Sequence, residues 1–216
     1  VTPFSLSVEA AAELGPGPFV SVLCDDEVGG SSPDDGVSTF NLTLSEGEIL
    51  PGGASGYQVS YYASQAAQDA GDAIADPTSY QNTSNPDVVY VSVFGDACEV
   101  RTELSLEVVP NPTPTDPGTY AVCDGVPEGD LDPYDGLSVF DLHGELDALI
   151  VDGEPGVTVE YYASEAEADA GAAGTELPSP YASVVAWSQV VWARVTQGVP
   201  PSVLACHSVL AVSLEV

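Results

Sequence analysis

An internal repeat is the feature that most constrains the fold of this chain. "DGVSTFNL" at Asp35–Leu42 returns as "DGLSVFDL" at Asp135–Leu142, and "VSYYASQAAQDAG" at 59–71 returns as "VEYYASEAEADAG" at 159–171. The offset is 100 in both cases and grows further along the chain, as expected where loops absorb insertions. The repeat predicts two copies of one fold in tandem.

A Pro-rich stretch at 110–117, "PNPTPTDP", separates the two copies. Such a stretch favours an extended, semi-rigid linker. Upstream, "FSLSVEA" at 4–10 aligns with "LSLEVVP" at 104–110, so residues 4–9 form a surplus strand. The predicted division is residues 1–14 as the last strand of a preceding repeat or a donated strand, 15–109 as repeat 1, 110–117 as linker and 118–216 as repeat 2.

The periodicity within each copy is that of β-strands. Apolar and polar residues alternate in Phe40–Leu44, Gln58–Tyr62, Val88–Val93 and Leu104–Val108, between turn-forming residues. This spacing predicts an all-β fold, with a sandwich of about seven short strands in each copy.

One short helix interrupts the strands of each copy. Ser164 and Glu167 form a capping-box pattern, and Gly171 suits the end of the helix. Ser64 and Gly71 bracket the equivalent stretch of the first copy. The helix is therefore predicted at the edge of each sandwich.

The charge balance restricts the partners of the protein. The 216 residues are 44% hydrophobic, which is enough for a sizeable core, and they include 34 acidic residues, two arginines and no lysine. A net charge of −32 excludes unassisted binding to nucleic acid or to an anionic membrane surface. Because no run of 18 apolar residues exists, membrane insertion is not expected. The chain starts at Val1 without a signal peptide, which is typical of a mature chain or a segment of a longer one.

Four cysteines occur two to a copy, at matching positions. The repeat symmetry favours one disulfide within each copy, Cys24–Cys98 and Cys123–Cys206. Buried thiols and a zinc site are the alternatives. Disulfides indicate an oxidising, extracellular setting, so the chain is expected to be secreted or displayed at a cell surface.

An acidic loop follows the first cysteine of each copy, "CDDEVGGSSPDDG" and "CDGVPEGDLDPYDG". Calcium takes six to eight oxygen ligands, which such loops can supply, although neither loop has EF-hand spacing. The alternative is a solvated acidic turn. The candidate calcium ligands are Asp25, Asp26, Asp34, Asp35, Asp124, Asp130, Asp132 and Asp135.

Catalytic motifs are not recognisable, and we expect no enzyme activity. The sequence has no nucleophile-elbow motif, and neither His143 nor His207 recurs in the other copy. Neighbouring acidic residues occur throughout the chain, so a pair of them does not by itself indicate a general acid and a general base.

Two pairs of tyrosines and two glycosylation sequons are further candidates for contact with glycans. The pairs could stack on a glycan or belong to the core, and the core is the more usual place for aromatic pairs in strands. The sequons start at Asn41 and Asn82. The tyrosines of the pairs are Tyr61, Tyr62, Tyr161 and Tyr162.

The order of these motifs resembles a known family. A cysteine, an acidic loop, "DGxxxF[DN]L", "YYAS", a helix ending in "DAG", and "YQNTSNPDVVYVSV" at 80–93 follow one another. This order is similar to that of the Ig-like repeats of giant surface proteins of Bacteroidota, which the type IX system exports and which are associated with gliding and adhesion. The resemblance covers residues 19–109 and 118–216 and implies an Ig-like sandwich for each copy. In the second copy the most specific stretch has become "YASVVAWSQVVWARV" at 181–195.

The leading hypothesis is a structural and adhesive module of an extracellular repeat protein. Its copies would form a cell-surface filament or adhesin stalk, stiffened by calcium, with neighbouring repeats or copies of itself as partners. One alternative is a self-polymerising fibre subunit in which strand 4–9 is donated to another molecule. The other is a calcium-dependent module that binds surface glycans through the tyrosines.

Overall fold

The chain folds into two compact units, unit 1 (Val1–Pro110) and unit 2 (Asn111–Val216). A computed structural model describes residues 11–25, 35–95, 98–124, 134–198 and 205–216. Each unit pairs a four-stranded sheet with a two-stranded sheet, so the predicted all-β, tandem sandwich architecture is confirmed. The predicted surplus strand 4–9 lies outside the described residues.

Unit 1 has six strands in its described part. The four-stranded sheet has the order β1-β6-β5-β3, and β2 pairs with β4. All pairs are antiparallel except β1 with β6, which is parallel. The strands are β1 (Phe19–Cys24), β2 (Thr39–Phe40), β3 (Gln58–Tyr62), β4 (Tyr80–Gln81), β5 (Asp87–Phe94) and β6 (Glu99–Val109).

Unit 2 repeats this arrangement. Its larger sheet has the order β7-β12-β11-β9, and β8 pairs with β10. Its first strand, β7, is again parallel to its last strand, β12. The strands are β7 (Thr119–Ala121), β8 (Val139–Phe140), β9 (Val157–Tyr162), β10 (Tyr181–Ala182), β11 (Ser188–Gly198) and β12 (Ala205–Glu215).

Each unit contains two short α-helices rather than the single one predicted. In unit 1 a 3-10 turn (Leu42–Ser45) leads into α1 (Glu46–Ile49). The predicted strand Phe40–Leu44 is therefore wrong beyond Phe40. The physical reason is Asn41, whose Oδ1 accepts hydrogen bonds from the Thr43 backbone N–H at 3.2 Å and the Thr43 hydroxyl at 2.7 Å, turning the chain into a helix. The other helices are α2 (Gln65–Ala70), α3 (Asp147–Val151) after a π-helical turn at Leu142–Leu146, and α4 (Glu165–Ala170).

The helix predicted in each copy corresponds to α2 in unit 1 and to α4 in unit 2. The predicted capping residues of both helices are confirmed. Ser164 Oγ accepts a hydrogen bond from the Glu167 N–H at 3.3 Å and donates one to Glu167 Oε2 at 2.9 Å. Ser64 Oγ caps α2 by accepting a hydrogen bond from the Ala67 N–H at 3.1 Å. Gly71 and Gly171 end the two helices with φ of 75° and 56°, a conformation that favours glycine.

Both arginines of the chain bind to the C-terminal part of a short helix. Arg194 Nη1 donates to the carbonyl oxygens of Ala168 at 2.7 Å and Asp169 at 2.6 Å, where the α4 dipole favours positive charge. Arg101 forms ion pairs with Asp69 of α2 at 2.6 Å and with Glu99 at 2.8 Å. The hydrogen bond from Arg101 holds the pKa of Glu99 below its usual value. The few positive charges of the chain thus hold α2 and α4 against the larger sheets.

A separate apolar core fills each unit. Both cores are built from strands and from the helical segment that follows the second strand of each unit, as the repeat leads one to expect. Their largest fully buried members include Phe40, Leu42, Ile49, Leu104 and Leu106 in unit 1, and Phe140, Leu142, Leu146, Ile150 and Leu214 in unit 2.

Candidate functional site: the cysteine-bearing ends of the units

The two cysteines of unit 1 lie at opposite ends of its larger sheet. Cys24 is the last residue of β1 and is paired with Val109, the last residue of β6. Cys98 directly precedes Glu99, the first residue of β6. At about 3.3 Å per residue, the length of β6 separates the two cysteines by about 35 Å.

The cysteines of unit 2 are separated in the same way. Cys206 is the second residue of β12 and is paired with Gln197. Cys123 follows β7 at the other end of β12, where the Val122 N–H donates to the Glu215 carbonyl at 2.9 Å. About ten residues of extended strand, roughly 30 Å, lie between the two positions.

The predicted disulfides within each unit are therefore wrong. A disulfide needs Cα atoms within about 7 Å, and the parallel pairing of first and last strands prevents this in both units. The structure has one disulfide, Cys24–Cys206. Cys123 is exposed and is not in a disulfide within this chain.

Each oxidised cysteine lies at the linker end of its own unit. In unit 1 the Asp25 N–H donates to the Val109 carbonyl at 2.8 Å, one residue before Pro110. In unit 2 the Ser208 hydroxyl donates to the Pro112 carbonyl at 2.6 Å, two residues beyond Cys206. By contrast, Cys123 lies at the end of unit 2 where β12 finishes.

The first aspartate after Cys24 closes the acidic loop of unit 1. Asp25 Oδ2 accepts a hydrogen bond from the Gly36 N–H at 2.7 Å, and Asp35 Oδ1 accepts one from the Val37 N–H at 2.9 Å. Gly36 has a φ of 71°, so glycine is favoured where the loop turns. Two candidate ligands, Asp26 and Asp34, lie outside the described residues.

The acidic loop of unit 2 has the same closure. Asp124 Oδ2 accepts from the Gly136 N–H at 3.0 Å, and Asp135 Oδ1 accepts from the Leu137 N–H at 2.9 Å. The second carboxylate oxygen of Asp124 is buried and has no hydrogen-bond partner among the described residues. Asp130 and Asp132 lie outside the described residues.

Calcium binding by these loops stays a prediction. In each loop one aspartate accepts from the backbone N–H of the turn glycine and the other from the N–H of the residue after it. These bonds place Asp25 and Asp35 at one glycine turn, and Asp124 and Asp135 at the other. Within the described ranges, no group of three or more histidine, cysteine, aspartate or glutamate side chains is arranged to hold a metal ion.

The tyrosine pairs belong to the interior, which is the more usual of the two places considered for them, and they do not form the alternative glycan-stacking surface. All four side chains are buried. Tyr161 donates to Asp147 Oδ1 at 2.7 Å, and burial together with this bond raises its pKa above the usual value. Burial raises the pKa of Tyr162 to about 12, and its hydroxyl donates to Glu160 at 3.0 Å. Tyr61 and Tyr161 belong to the two cores, and the hydrogen bonds of Tyr161 and Tyr162 are partly buried.

The two histidines each contact a carboxylate. His143 Nδ1 lies 3.2 Å from Asp147 Oδ2, and His207 Nε2 lies 3.3 Å from Asp169 Oδ1. Both aspartates belong to helices beside the larger sheet of unit 2. These contacts lie at the surface, where an ion pair contributes little to stability. The expected absence of enzyme activity stays a prediction.

The sequon asparagines have structural roles. Asn82 is buried; its Nδ2 donates to the carbonyls of Gly36 and Ser84, and its Oδ1 accepts from the Ser38 N–H. Asn41 is the cap of the 3-10 turn.

Trp187 is a surface residue that the sequence reasoning missed. It has a φ of 68°, its N–H donates to the Gly136 carbonyl at 2.7 Å, and its indole covers Gly136. A Cβ at Gly136 would lie 2.6 Å from the indole, so this position requires glycine. The signal in the sequence was the replacement of the polar "TSNP" of unit 1 by "VVAW" in unit 2.

Comparison with known proteins places both units in one family. A family model described as the Flavobacterium inter-domain disulphide bond domain matches residues 20–114 and again residues 119–216. No curated protein matches the chain. No helix among the described residues is long and apolar enough to cross a membrane. The disulfide and the family together indicate an extracellular or periplasmic protein. With both of its repeats matched, the chain belongs to the Flavobacterium inter-domain disulphide bond domain family.

Proposed function

We propose that the chain is a load-bearing module of an extracellular repeat protein that forms a cell-surface filament or adhesin stalk. The observation that carries this proposal is the Cys24–Cys206 disulfide. It joins the first strand of the first sandwich to the last strand of the second, so that most of the chain lies inside one covalent loop. Tension applied at the two termini passes through the bond and bypasses residues 25–205.

The disulfide limits how far the module can extend. The bypassed segment has 181 residues, which at about 3.5 Å per residue would add roughly 630 Å if both units unfolded in series. With the bond intact, only the residues outside the loop can extend, and their full length is about 120 Å. A module built this way resists extension even after its sandwiches lose their structure.

Single-molecule force spectroscopy on the full chain, held at its termini, tests this function. The oxidised chain is expected to reach an extension near 120 Å without further unfolding steps, because the loop carries no load. In reductant, and in the Cys24→Ser variant, added contour length of several hundred ångströms is expected. Cys123→Ser is the matched control and should behave as the oxidised wild type. If the oxidised wild type also released several hundred ångströms, the proposal would be overturned.

Calcium is the proposed stiffening ion for the acidic loops. Oδ1 of Asp124 is buried and has no hydrogen-bond partner in the described part of the chain. This supports the role, because an unsatisfied buried carboxylate oxygen is costly and a cation can compensate it. Asp135 supplies a second carboxylate on the same glycine turn. Asp25 and Asp35 occupy the equivalent positions in unit 1.

A thermal melt of the oxidised chain in EDTA and in 1 mM calcium tests the ion. A dissociation constant of about 10–100 μM would stabilise the folded state by about 1.4–2.7 kcal/mol, raising the midpoint by more than about 5 °C. Magnesium and sodium chloride at matched ionic strength are the controls. Asp124→Asn should remove the response of unit 2. Because both tryptophans belong to unit 2, tryptophan fluorescence follows the melting of that unit. A rise that sodium chloride reproduces, or a calcium response of the tryptophan transition that survives in Asp124→Asn, would leave the acids as a solvated surface.

A further inference from the structure

Ser92 is a buried serine whose hydroxyl lies between a carboxylate and a carboxamide. It belongs to β5, on the face of the larger sheet of unit 1 that α2 contacts. The hydroxyl donates to Glu99 Oε1 at 2.7 Å, and its oxygen accepts a hydrogen bond from Gln68 Nε2 at 3.0 Å. Ser92 is fully buried and Gln68 is 6% exposed. A serine hydroxyl bonded to a carboxylate has the arrangement of a nucleophile and its general base.

Glu99 is held in place by Arg101. Arg101 Nε donates at 2.8 Å to Oε1 of Glu99, the oxygen that also accepts the Ser92 hydroxyl. Arg101 Nη1 donates at 2.6 Å to Asp69, the residue after Gln68. The hydrogen bond from Arg101 holds the pKa of Glu99 below its usual value, so this carboxylate is ionised at neutral pH and can accept a proton. Nucleophile, base and a group that orients the base therefore lie within hydrogen-bond reach of one another.

Burial decides which acyl group Ser92 can attack. A substrate in solution cannot reach a fully buried hydroxyl, whereas the Gln68 carboxamide is in contact with it. The amide carbon of Gln68 lies within about 4.3 Å of the hydroxyl oxygen, because the amide C–N bond adds about 1.3 Å to the hydrogen bond. The last torsion of a glutamine side chain is broad, so rotation of the amide can bring its carbon to an attack distance of about 3–3.5 Å. The reaction partner of Ser92 thus belongs to the same unit.

Unit 2 holds its equivalent helix without this pair of groups. Ala168 stands at the position of Gln68, at the same offset of 100 as the rest of the helix. Arg194 stands at the position of Ser92, since each pairs with the same position in the third strand of its unit. There the guanidinium binds the carbonyls of Ala168 and Asp169 directly. Attachment of the helix to the sheet does not require a hydroxyl and an amide, and only unit 1 has both.

From these observations we propose that Ser92 and Gln68 are joined by an intramolecular ester, which unit 1 forms by itself after folding. Ser92 Oγ attacks the amide carbon of Gln68 while Glu99 takes the hydroxyl proton. The tetrahedral centre then collapses with cleavage of the C–N bond, and Glu99 returns the proton to the nitrogen, which leaves as ammonia. One C–O bond replaces one C–N bond, nothing is oxidised or reduced, and no further reactant is needed.

The surroundings of the pair favour formation of the ester and its survival. Ammonia is lost to the solvent and diluted, so its attack on the ester in the reverse direction is negligible. Water is excluded from the buried oxygen of Ser92, which slows hydrolysis. The bond fixes α2 to β5 independently of the Cys24–Cys206 disulfide. The proposed mechanical function and this inference can therefore fail separately.

Intact-mass spectrometry of the full chain, reduced and unfolded, tests the ester. The expected mass is about 17 Da below that of the sequence, because one molecule of ammonia is lost. Cleavage after acidic residues cuts the chain between Gln68 and Ser92, so we expect the two peptides that carry them to remain linked. Alkaline hydroxylamine, which cleaves esters, should separate these peptides. The unmodified sequence mass, or a link that resists hydroxylamine, contradicts the inference.

Two variants and unit 2 supply the controls. Ser92→Ala lacks the nucleophile and should have the mass of its sequence. Glu99→Gln keeps a hydrogen-bond acceptor but lacks the base, so the reaction should be slower by about 10²–10⁴-fold and unreacted chain should be present after purification. Peptides containing Ala168 and Arg194 should have their sequence masses. A loss of about 17 Da that persists in Ser92→Ala overturns the ester, and a complete loss in freshly purified Glu99→Gln overturns the role of Glu99.

Discussion

Replacing Phe140 by alanine is expected to lower the free energy of unfolding of unit 2 by about 3–5 kcal/mol. Phe140 is fully buried in β8, where it pairs with Tyr181, and its ring centroid lies 6.1 Å from that of Tyr120. The substitution removes the ring from the centre of the core and leaves a cavity. The measurement is urea unfolding in reductant, followed by tryptophan fluorescence, because both tryptophans of the chain belong to unit 2.

The repeat supplies the matched controls for this experiment. Phe40→Ala makes the same change in unit 1 and should leave the tryptophan transition in place while shifting the unfolding of unit 1 in circular dichroism. Leu149→Ala, at a half-exposed position of α3, should cost less than about 1 kcal/mol. Equal shifts of the tryptophan transition in Phe40→Ala and Phe140→Ala would mean that the two units unfold as one block.

Asn82→Ala is expected to destabilise unit 1 by about 2–4 kcal/mol. The side chain is 3% exposed and makes three hydrogen bonds of 2.7–2.9 Å, accepting from the Ser38 N–H and donating to the carbonyls of Gly36 and Ser84. Alanine leaves these backbone groups without their partner. Differential scanning calorimetry of the reduced chain measures the loss as a lower midpoint for unit 1.

Unit 2 shows what a smaller side chain can do at this position. Ser183 is the equivalent residue, and its hydroxyl accepts from the Ser138 N–H at 3.0 Å. Asn82→Ser should therefore keep the bond to Ser38 and lose about half as much stability as Asn82→Ala. An equal loss in both variants would show that the hydrogen bond to Ser38 contributes nothing.

The repeat made the fold class predictable, because periodicity and turn chemistry are local properties of the sequence. Strand β3 was predicted at its observed bounds. The ends of α2 and α4 were predictable too, since Ser64 and Gly71, or Ser164 and Gly171, form caps within a few residues of one another. The stretch after Phe40 was misassigned because alternating apolar residues also fit the helical turn that Asn41 starts.

The role of the tyrosines required the tertiary structure. Tyrosines next to each other in a strand point to opposite faces, so the sequence could not decide how much of each ring is covered. In unit 2 both faces are covered, since Tyr161 reaches Asp147 of α3 and Tyr162 reaches Glu160. Trp187 shows the opposite outcome, because a backbone with positive φ holds its large apolar ring at the surface.

The sequence by itself determined that the chain is a tandem of two acidic β-sandwiches with two matching cysteines in each. Which cysteines pair was decided only by the tertiary structure. The matching positions of the cysteines in the two copies favoured bonds within each unit, but they say nothing of the distance between the two cysteines of a unit. The parallel register of β1 with β6, and of β7 with β12, places the cysteines of each unit about 30 Å apart or more. A disulfide spans less than about 7 Å between Cα atoms, so the bond had to join different units.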